Sequence, residues 1–296
     1  MAGGSGFLGR PLATRLAGAG YDVVVLSRDG RSPHDGRAVR WTPDGTAGAW
    51  AEELDGAAAV INLAGESIAG QRWTTAQKAR ITESRLQATR SLVQAIAAAA
   101  RRPATFISAS AVGYYGPRGD ESVTERTAAG RDFLAGVCVA WEHEAMQAAS
   151  AGTRVVLVRS GLVLARDGGA LPPMLPPFRA FVGGPVGSGQ QYWPWIHREE
   201  WLAMVQFTLE HSALNGPMNA TGPAPVRNAD FARALGRALH RPAVLPAPGF
   251  ALRLLLGEMA DGLLLSGQRA VPERATRLGF TFRFRTADEA LADLFA

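Results

Sequence analysis

The sequence predicts an α/β fold, a doubly wound parallel sheet with a smaller C-terminal α/β lobe, and three observations carry that prediction. A glycine-rich turn, Gly3-Gly4-Ser5-Gly6-Phe7-Leu8-Gly9, stands at the start of the chain. Over the first two thirds, short apolar runs alternate with segments of helical period, as a parallel sheet with crossover helices requires. Near residue 165 the texture changes: Gly168-Gly169, Pro172, Pro173, Pro176, Pro177 and Gly183-Gly184-Pro185 break up a long irregular stretch. Such a density of breakers reads as binding loops.

Apolar runs at 22–26, 39–42, 59–63, 105–108 and 154–158 are the expected strands, and helices are expected after Phe7, Trp73 and Phe133. The helix over 75–100 carries Ile81, Leu86, Leu92, Val93 and Ile96 and meets no Gly or Pro before Pro103. Smaller helices are expected near 199–211, 228–239 and 286–295. This divides the chain into a nucleotide-binding domain over 1–165, to which 191–220 returns, and a substrate lobe over 166–296 that includes a small C-terminal domain, 248–296. One element falls short. Only Met1 and Ala2 precede Gly3, where a central strand of about five apolar residues belongs. That strand is expected to be largely missing, with a weaker ladder and weaker ligand binding as the consequence.

At 296 residues and 47% hydrophobic, the chain has material for a full core. It has no run of about 18 uninterrupted apolar residues, so no membrane association is expected. The single cysteine, Cys138, and the lack of a secretory signal point to the cytoplasm. The net charge of +5 comes from scattered residues, nearly all arginine, with Lys78 the only lysine. Nucleic-acid binding wants clustering, so it is not expected, whereas arginine suits a phosphate-bearing small molecule. Glu142-His143-Glu144 lacks metal-ligand spacing and no G-x-S-x-G elbow occurs, so neither a metal site nor a serine hydrolase is expected.

In G-x-x-G-x-x-G the glycines give a tight turn, close approach of backbone to a pyrophosphate, and close packing of the next helix on the sheet. Gly3, Gly6, Phe7, Leu8 and Gly9 form the expected phosphate cradle of a Rossmann-type domain, with a helix N-terminus aimed at the anion. The helix over 11–17, the turn Gly18-Ala19-Gly20 and the strand ending in Ser27-Arg28 follow in the order a βαβ unit demands. An arginine at that strand end accommodates a 2′-phosphate where an acidic residue would hold a 2′-hydroxyl, so Ser27 and Arg28 select NADP(H) over NAD(H).

With these features, Asn62-Leu63-Ala64-Gly65-Glu66, Ser108-Ala109-Ser110, Tyr114-Tyr115-Gly116, Arg159-Ser160-Gly161 and Pro194-Trp195-Ile196-His197, the chain resembles the atypical extended short-chain dehydrogenase/reductases. The resemblance is to the sugar-nucleotide-epimerase-like "epimerase family protein" branch, which ends in a C-terminal domain of unknown function. It implies cofactor contacts from Leu63, Ala64, Arg85 and Val163, and a structural, hydrogen-bonding role for His197.

Typical members of that superfamily use Ser, Tyr and Lys, the last two on one helix face. Here Cys138 and Glu142 occupy the Tyr and Lys positions. Glu142 reads either as a general acid or base raised by burial or as a surface carboxylate paired with an arginine, and Cys138 as a small buried helix residue. Ser110 is expected to orient a substrate oxygen, and Tyr115, or Tyr114, to stand in for the missing acid. Glu66, Arg72 and Trp73 are candidate substrate contacts. The leading expectation is an NADP(H)-dependent oxidoreductase or epimerase-like enzyme acting on a small carbonyl, hydroxyl or nucleotide-sugar-like compound. The alternative is a non-catalytic NADP(H)-binding regulator or interaction protein, for example in cell division.

Overall fold

The computed structural model describes residues 1–31 and 36–296. Helix α1 (Gly9–Gly18), strands β1 (Val24–Ser27), β2 (Arg37–Arg40) and β3 (Ala59–Asn62), helix α2 (Thr75–Ala98), strand β4 (Thr105–Ala111) and helix α3 (Phe133–Met146) follow in that order. Strands Arg154–Ser160 and Gly216–Ala220 complete the main sheet. Across it the order is β2, β1, the residue pair Met1–Ala2, β3, β4, Arg154–Ser160 and Gly216–Ala220, all parallel. The chain thus starts in the middle and winds to one edge and then the other, the Rossmann arrangement.

The central place is held by two residues. Ala2 donates to the Ile61 carbonyl at 2.8 Å and its own carbonyl accepts from Leu63 N–H at 3.0 Å. On the other side the Met1 carbonyl accepts from Leu26 N–H at 2.8 Å and the Met1 amino group donates to the Val24 carbonyl at 2.6 Å. These bonds tie the strands on both sides, β1 and β3, at the level where the glycine turn begins.

Both faces of the sheet are covered, which is why its strands are apolar runs without polar alternation. On one face Phe106, Val155 and Leu157 pack with Leu92 and Ile96 of α2, while on the other Ile107, Val156 and Val158 pack with Leu12 and Leu16 of α1 and with Trp201 and Val205 of helix Arg198–Glu210. Local chemistry sets the helix starts. Thr74 accepts from Gln77 N–H before α2, and Asp132 accepts from Ala135 N–H before α3.

The breaker-rich stretch after residue 165 holds a small sheet, in which Leu162–Ala165 pairs with Trp195–His197 and with Gly168–Gly169. Helix Asn228–Leu239 and the C-terminal helix Ala287–Phe295, which opens with a Thr286/Glu289 capping box, close a third core around Trp193, Trp195, Phe231 and Leu291. Helix Gly249–Leu256, unforeseen in the sequence, buries none of its residues. Among the described residues no helix is long and apolar enough to cross a membrane.

Candidate functional site

The three glycines of the turn have separate tasks. Gly3 adopts φ +74° and lies so close to β3 that a Cβ there would come within 2.7 Å of the Leu63 carbonyl group. At Gly9 a Cβ would collide with the Gly3 carbonyl oxygen and sit 2.7 Å from Gly4 Cα, so its absence lets α1 start against the turn. Gly6 is comparatively open, with only the Gly3 carbonyl oxygen at 3.3 Å. Phe7 and Leu8 lie just outside α1, and among the described residues their N–H groups have no backbone or side-chain acceptor. Orphan donors at a helix N-terminus, beside a glycine that leaves room for approach, fit a dinucleotide pyrophosphate. Ser5, Gly6, Phe7, Arg10 and Arg198 line an open cleft of about 620 Å³ there. The Phe7 ring lies against Gly168 and Gly169, where any side chain would displace it.

At the end of β1, Ser27 is buried and its hydroxyl donates to the Arg31 carbonyl at 3.0 Å. Arg28 is exposed and has no hydrogen-bond or ion-pair partner among the described residues. Exposed Arg40 is the register partner of Ser27 on β2, so a second guanidinium flanks the same strand end. The neighbouring Asp29 carboxylate is occupied with Arg31 N–H at 3.1 Å, a bond that holds its pKa below the usual value.

Leu63 and Ala64 leave β3 directly beneath Gly3, and Ala64 N–H donates to the Asn62 side chain at 3.2 Å. Asn62 is fully buried and donates to Thr89, whose hydroxyl also accepts from the Trp141 indole, each at 2.9 Å. Arg85 lies over Trp141, 5.1 Å from the ring centre, and donates to the carbonyls of Glu66 and Ile81. Burial lowers its pKa. Val163 is buried in the small sheet opposite Ile196.

The candidate catalytic residues meet in a network that also takes in Arg159 and Asn219. Ser110, Arg159 and Asn219 are register partners on three adjacent strands and so form one row across the sheet. Ser110 Oγ donates to Glu142 Oε1 at 2.6 Å. Arg159 grips the Glu142 carboxylate with Nε at 2.8 Å and Nη2 at 2.7 Å, and donates through Nη1 to the Tyr115 hydroxyl at 2.9 Å. That hydroxyl donates in turn to Asn219 Oδ1 at 2.6 Å, while Asn219 Nδ2 is bound to the Val271 carbonyl. The Tyr114 ring covers the guanidinium, 3.5 Å from its carbon.

Glu142 is therefore paired with an arginine, but as a buried carboxylate and not a surface one. Tyr115, expected as a stand-in acid, is 1% exposed, and burial pushes its pKa up to about 12. Cys138 is buried at the tyrosine position, and burial, then Glu142, push its thiol up to about 11, which keeps it protonated. His197 caps helix Arg198–Glu210 by accepting Glu199 N–H at Nδ1. Trp73 donates to the Ile68 carbonyl and packs on Phe133 and Gly262, and Lys78 pairs with Glu258, so the loop 66–73 is held against the C-terminal segment. Among the described residues no group of three potential metal ligands converges.

The sequence reading passed over Arg159 and Asn219 as site residues. The signal was present for Arg159, a lone charge inside the apolar run 155–165, because a charge in a buried strand requires a partner.

The sheet and its glycine turn define a Rossmann-fold protein with a dinucleotide-type phosphate cradle. The chain belongs to the NAD dependent epimerase/dehydratase family, whose model matches residues 1–220, and a domain of unknown function, DUF1731, matches residues 247–294. An epimerase family protein of Mycobacterium leprae is 42% identical over 99% of this chain and 94% of its own length. YfhF, an epimerase family protein of Bacillus subtilis, is 40% identical over 100% of this chain and 97% of its own. Human epimerase family protein SDR39U1 (isoform 2), solved with NADPH, superposes with a TM-score of 0.89 at 33% identity, covering 99% of this chain and 97% of that one.

Proposed function

We propose that the protein binds NADP(H) and works as an oxidoreductase or epimerase-like enzyme on a small hydroxyl or carbonyl compound. The observation that carries the NADP(H) reading is the end of β1: Arg28 is exposed and has no partner among the described residues, Arg40 stands in register with the preceding Ser27, and the neighbouring Asp29 is already occupied. A 2′-phosphate fits two free guanidinium groups, which it would engage through charge-assisted hydrogen bonds. The presence of NADPH with the human relative supports the same choice. Gly3, Gly6, Phe7, Leu8 and Gly9 would hold the pyrophosphate, with Ser27, Leu63, Ala64, Arg85 and Val163 lining the rest of the cofactor site.

When bound, a nicotinamide would supply or accept the hydride. Ser110 is the residue we place against the substrate oxygen. Because its proton is committed to Glu142, what remains to Oγ is acceptor capacity, which suits a substrate hydroxyl. Glu142, and Tyr115 through Arg159, position that oxygen without touching substrate. One observation favours the alternative of a non-catalytic NADP(H)-binding regulator: neither Ser110 nor Tyr115 has a proton free for the cleft.

Fluorescence titration with NADPH and NADH tests the cofactor choice. Arg28→Ala should cut NADPH affinity about tenfold, roughly one charge-assisted hydrogen bond, and leave NADH unchanged. Equal affinities in wild type, untouched by the substitution, would end the 2′-phosphate reading. Turnover is tested over a panel of alcohols, aldehydes, ketones and sugar nucleotides. Activity abolished by Ser110→Ala supports the enzyme, and tight NADPH binding with no turnover supports the regulator.

A further inference from the structure

The largest unexplained feature lies away from the cleft. Phe250, Leu254 and Leu255 are 75%, 81% and 68% exposed on helix Gly249–Leu256, so most of their apolar surface faces solvent. Phe181, Val244 and Leu245, on the segments that lead into this helix, are exposed as well. The segments are continuous in space: Leu245 N–H donates to the Gly183 carbonyl at 3.1 Å, Ala247 N–H to the Pro185 carbonyl at 2.8 Å, and the helix begins two residues later. Phe181 adopts φ +62°, a left-handed conformation that is strained for an aromatic residue. Soluble monomers rarely leave large apolar side chains clustered and uncovered, as Phe250, Leu254 and Leu255 are on this one helix.

The unpaired charge around this surface has one sign. Its carboxylates are all taken: Asp230 by Arg233, Asp288 by Arg237, Asp261 by Arg253 and Glu258 by Lys78. Arg179 and Arg241 have no carboxylate partner among the described residues. Arg241 lies over the Phe181 ring at 4.6 Å, next to an open groove of about 650 Å³ lined by Arg233, Arg237, His240 and Val244. A two-fold contact with a second copy would set these free cations against each other. Protruding apolar side chains together with unpaired arginines suit a surface that is apolar beneath and anionic on top.

We propose that this face attaches the protein peripherally to an anionic phospholipid membrane, with Phe250, Leu254 and Leu255 entering the acyl boundary and Arg179 and Arg241 receiving phosphate headgroups. The proposal revises the expectation of no membrane contact, which rested on the lack of a spanning segment and does not bear on a surface-lying helix.

Flotation of the full chain with phosphatidylglycerol-containing and pure phosphatidylcholine vesicles tests it. Binding should require phosphatidylglycerol, weaken with salt, and fall about tenfold or more in Leu254→Glu/Leu255→Glu, where two insertions are lost. Arg179→Glu/Arg241→Glu should remove the lipid preference, and unchanged thermal unfolding of both variants would show that the fold is intact. Because Cys138 is buried, Leu254→Cys can carry a polarity-sensitive fluorophore alone, and its emission should shift to the blue only with the anionic vesicles. Wild type that does not float, double variants that float equally well, or a dimer dispersed by Leu254→Glu without any vesicle binding would each overturn the proposal.

Discussion

The glycine turn and the end of β4 treat polar groups in opposite ways. At the turn, donors are left uncommitted: the N–H groups of Phe7 and Leu8, beside an open cleft that Phe7 helps to line, and Arg28 have no partner among the described residues. At the end of β4, Ser110, Glu142, Arg159, Tyr115 and Asn219 satisfy one another in the buried interior. An orphan donor in an open cleft stays solvated and can exchange water for a ligand, whereas an unpaired buried polar group costs about 1–3 kcal/mol and is avoided. The first region has the chemistry of a receiver and the second that of a scaffold. If the chain is a catalyst, its reacting groups therefore enter at the edge of the network, through Ser110 or the loop 66–73, and not from its middle.

The sharpest way to break this comparison is to open the network. Arg159→Met leaves the Glu142 carboxylate buried and unpaired and should cost about 3–5 kcal/mol in urea unfolding. Glu142→Leu/Arg159→Met removes both charges and should recover most of that loss, because a buried ion pair contributes little net stability over an apolar replacement. A single variant as stable as wild type would show that the network is no scaffold.

A smaller effect is expected at the turn. In Gly9→Ala the new methyl meets backbone and not the flexible end of a side chain, so α1 must shift away from Gly3. That strain should cost about 1–3 kcal/mol and weaken NADPH binding tenfold or more as the helix N-terminus moves. Gly18→Ala, at the far end of the same helix, meets nothing within 4 Å and should leave binding unchanged. If the two variants bind NADPH alike, α1 is not the receiving element.

How far each region was legible in the sequence follows from the same contrast. The turn is a local object, since the steric demands on Gly3 and Gly9, the open Gly6 between them and the apolar run to Ser27 sit within one short segment. The strands at 59–63 and 154–158 were legible because burial on both faces makes them continuous apolar runs. The network depends on register: Ser110, Arg159 and Asn219 become neighbours only once three strands are aligned, and no local pattern sets that alignment. Glu142 was read as buried acid or surface ion pair, and it combines burial with the arginine. The helix at 249–256 was hidden by Pro242, Pro246 and Pro248 just before it and by the absence of an apolar face turned to the core.

His197 stands between the two regimes, and its titration gives the mildest test. Nδ1 is committed to Glu199 N–H, which requires that nitrogen to be unprotonated, while Nε2 reaches only to 3.5 Å from Asp293. Burial lowers the ring's pKa below 6.5, against the opposing pull of Asp293 and Glu199 and with help from Arg283 and Arg198. The unfolded chain therefore binds this proton more readily than the folded one, so stability should fall as the pH drops from 6.5 toward the folded value. Glu125 and Glu200, whose pKa values burial raises, act in the opposite sense on acidification, so total stability against pH does not isolate the histidine. The difference from His197→Asn does, because asparagine keeps a capping acceptor and has no proton to gain. The variant should lose less stability than wild type over that interval in denaturant titrations, and parallel curves would mean that His197 keeps an ordinary affinity for its proton despite its burial.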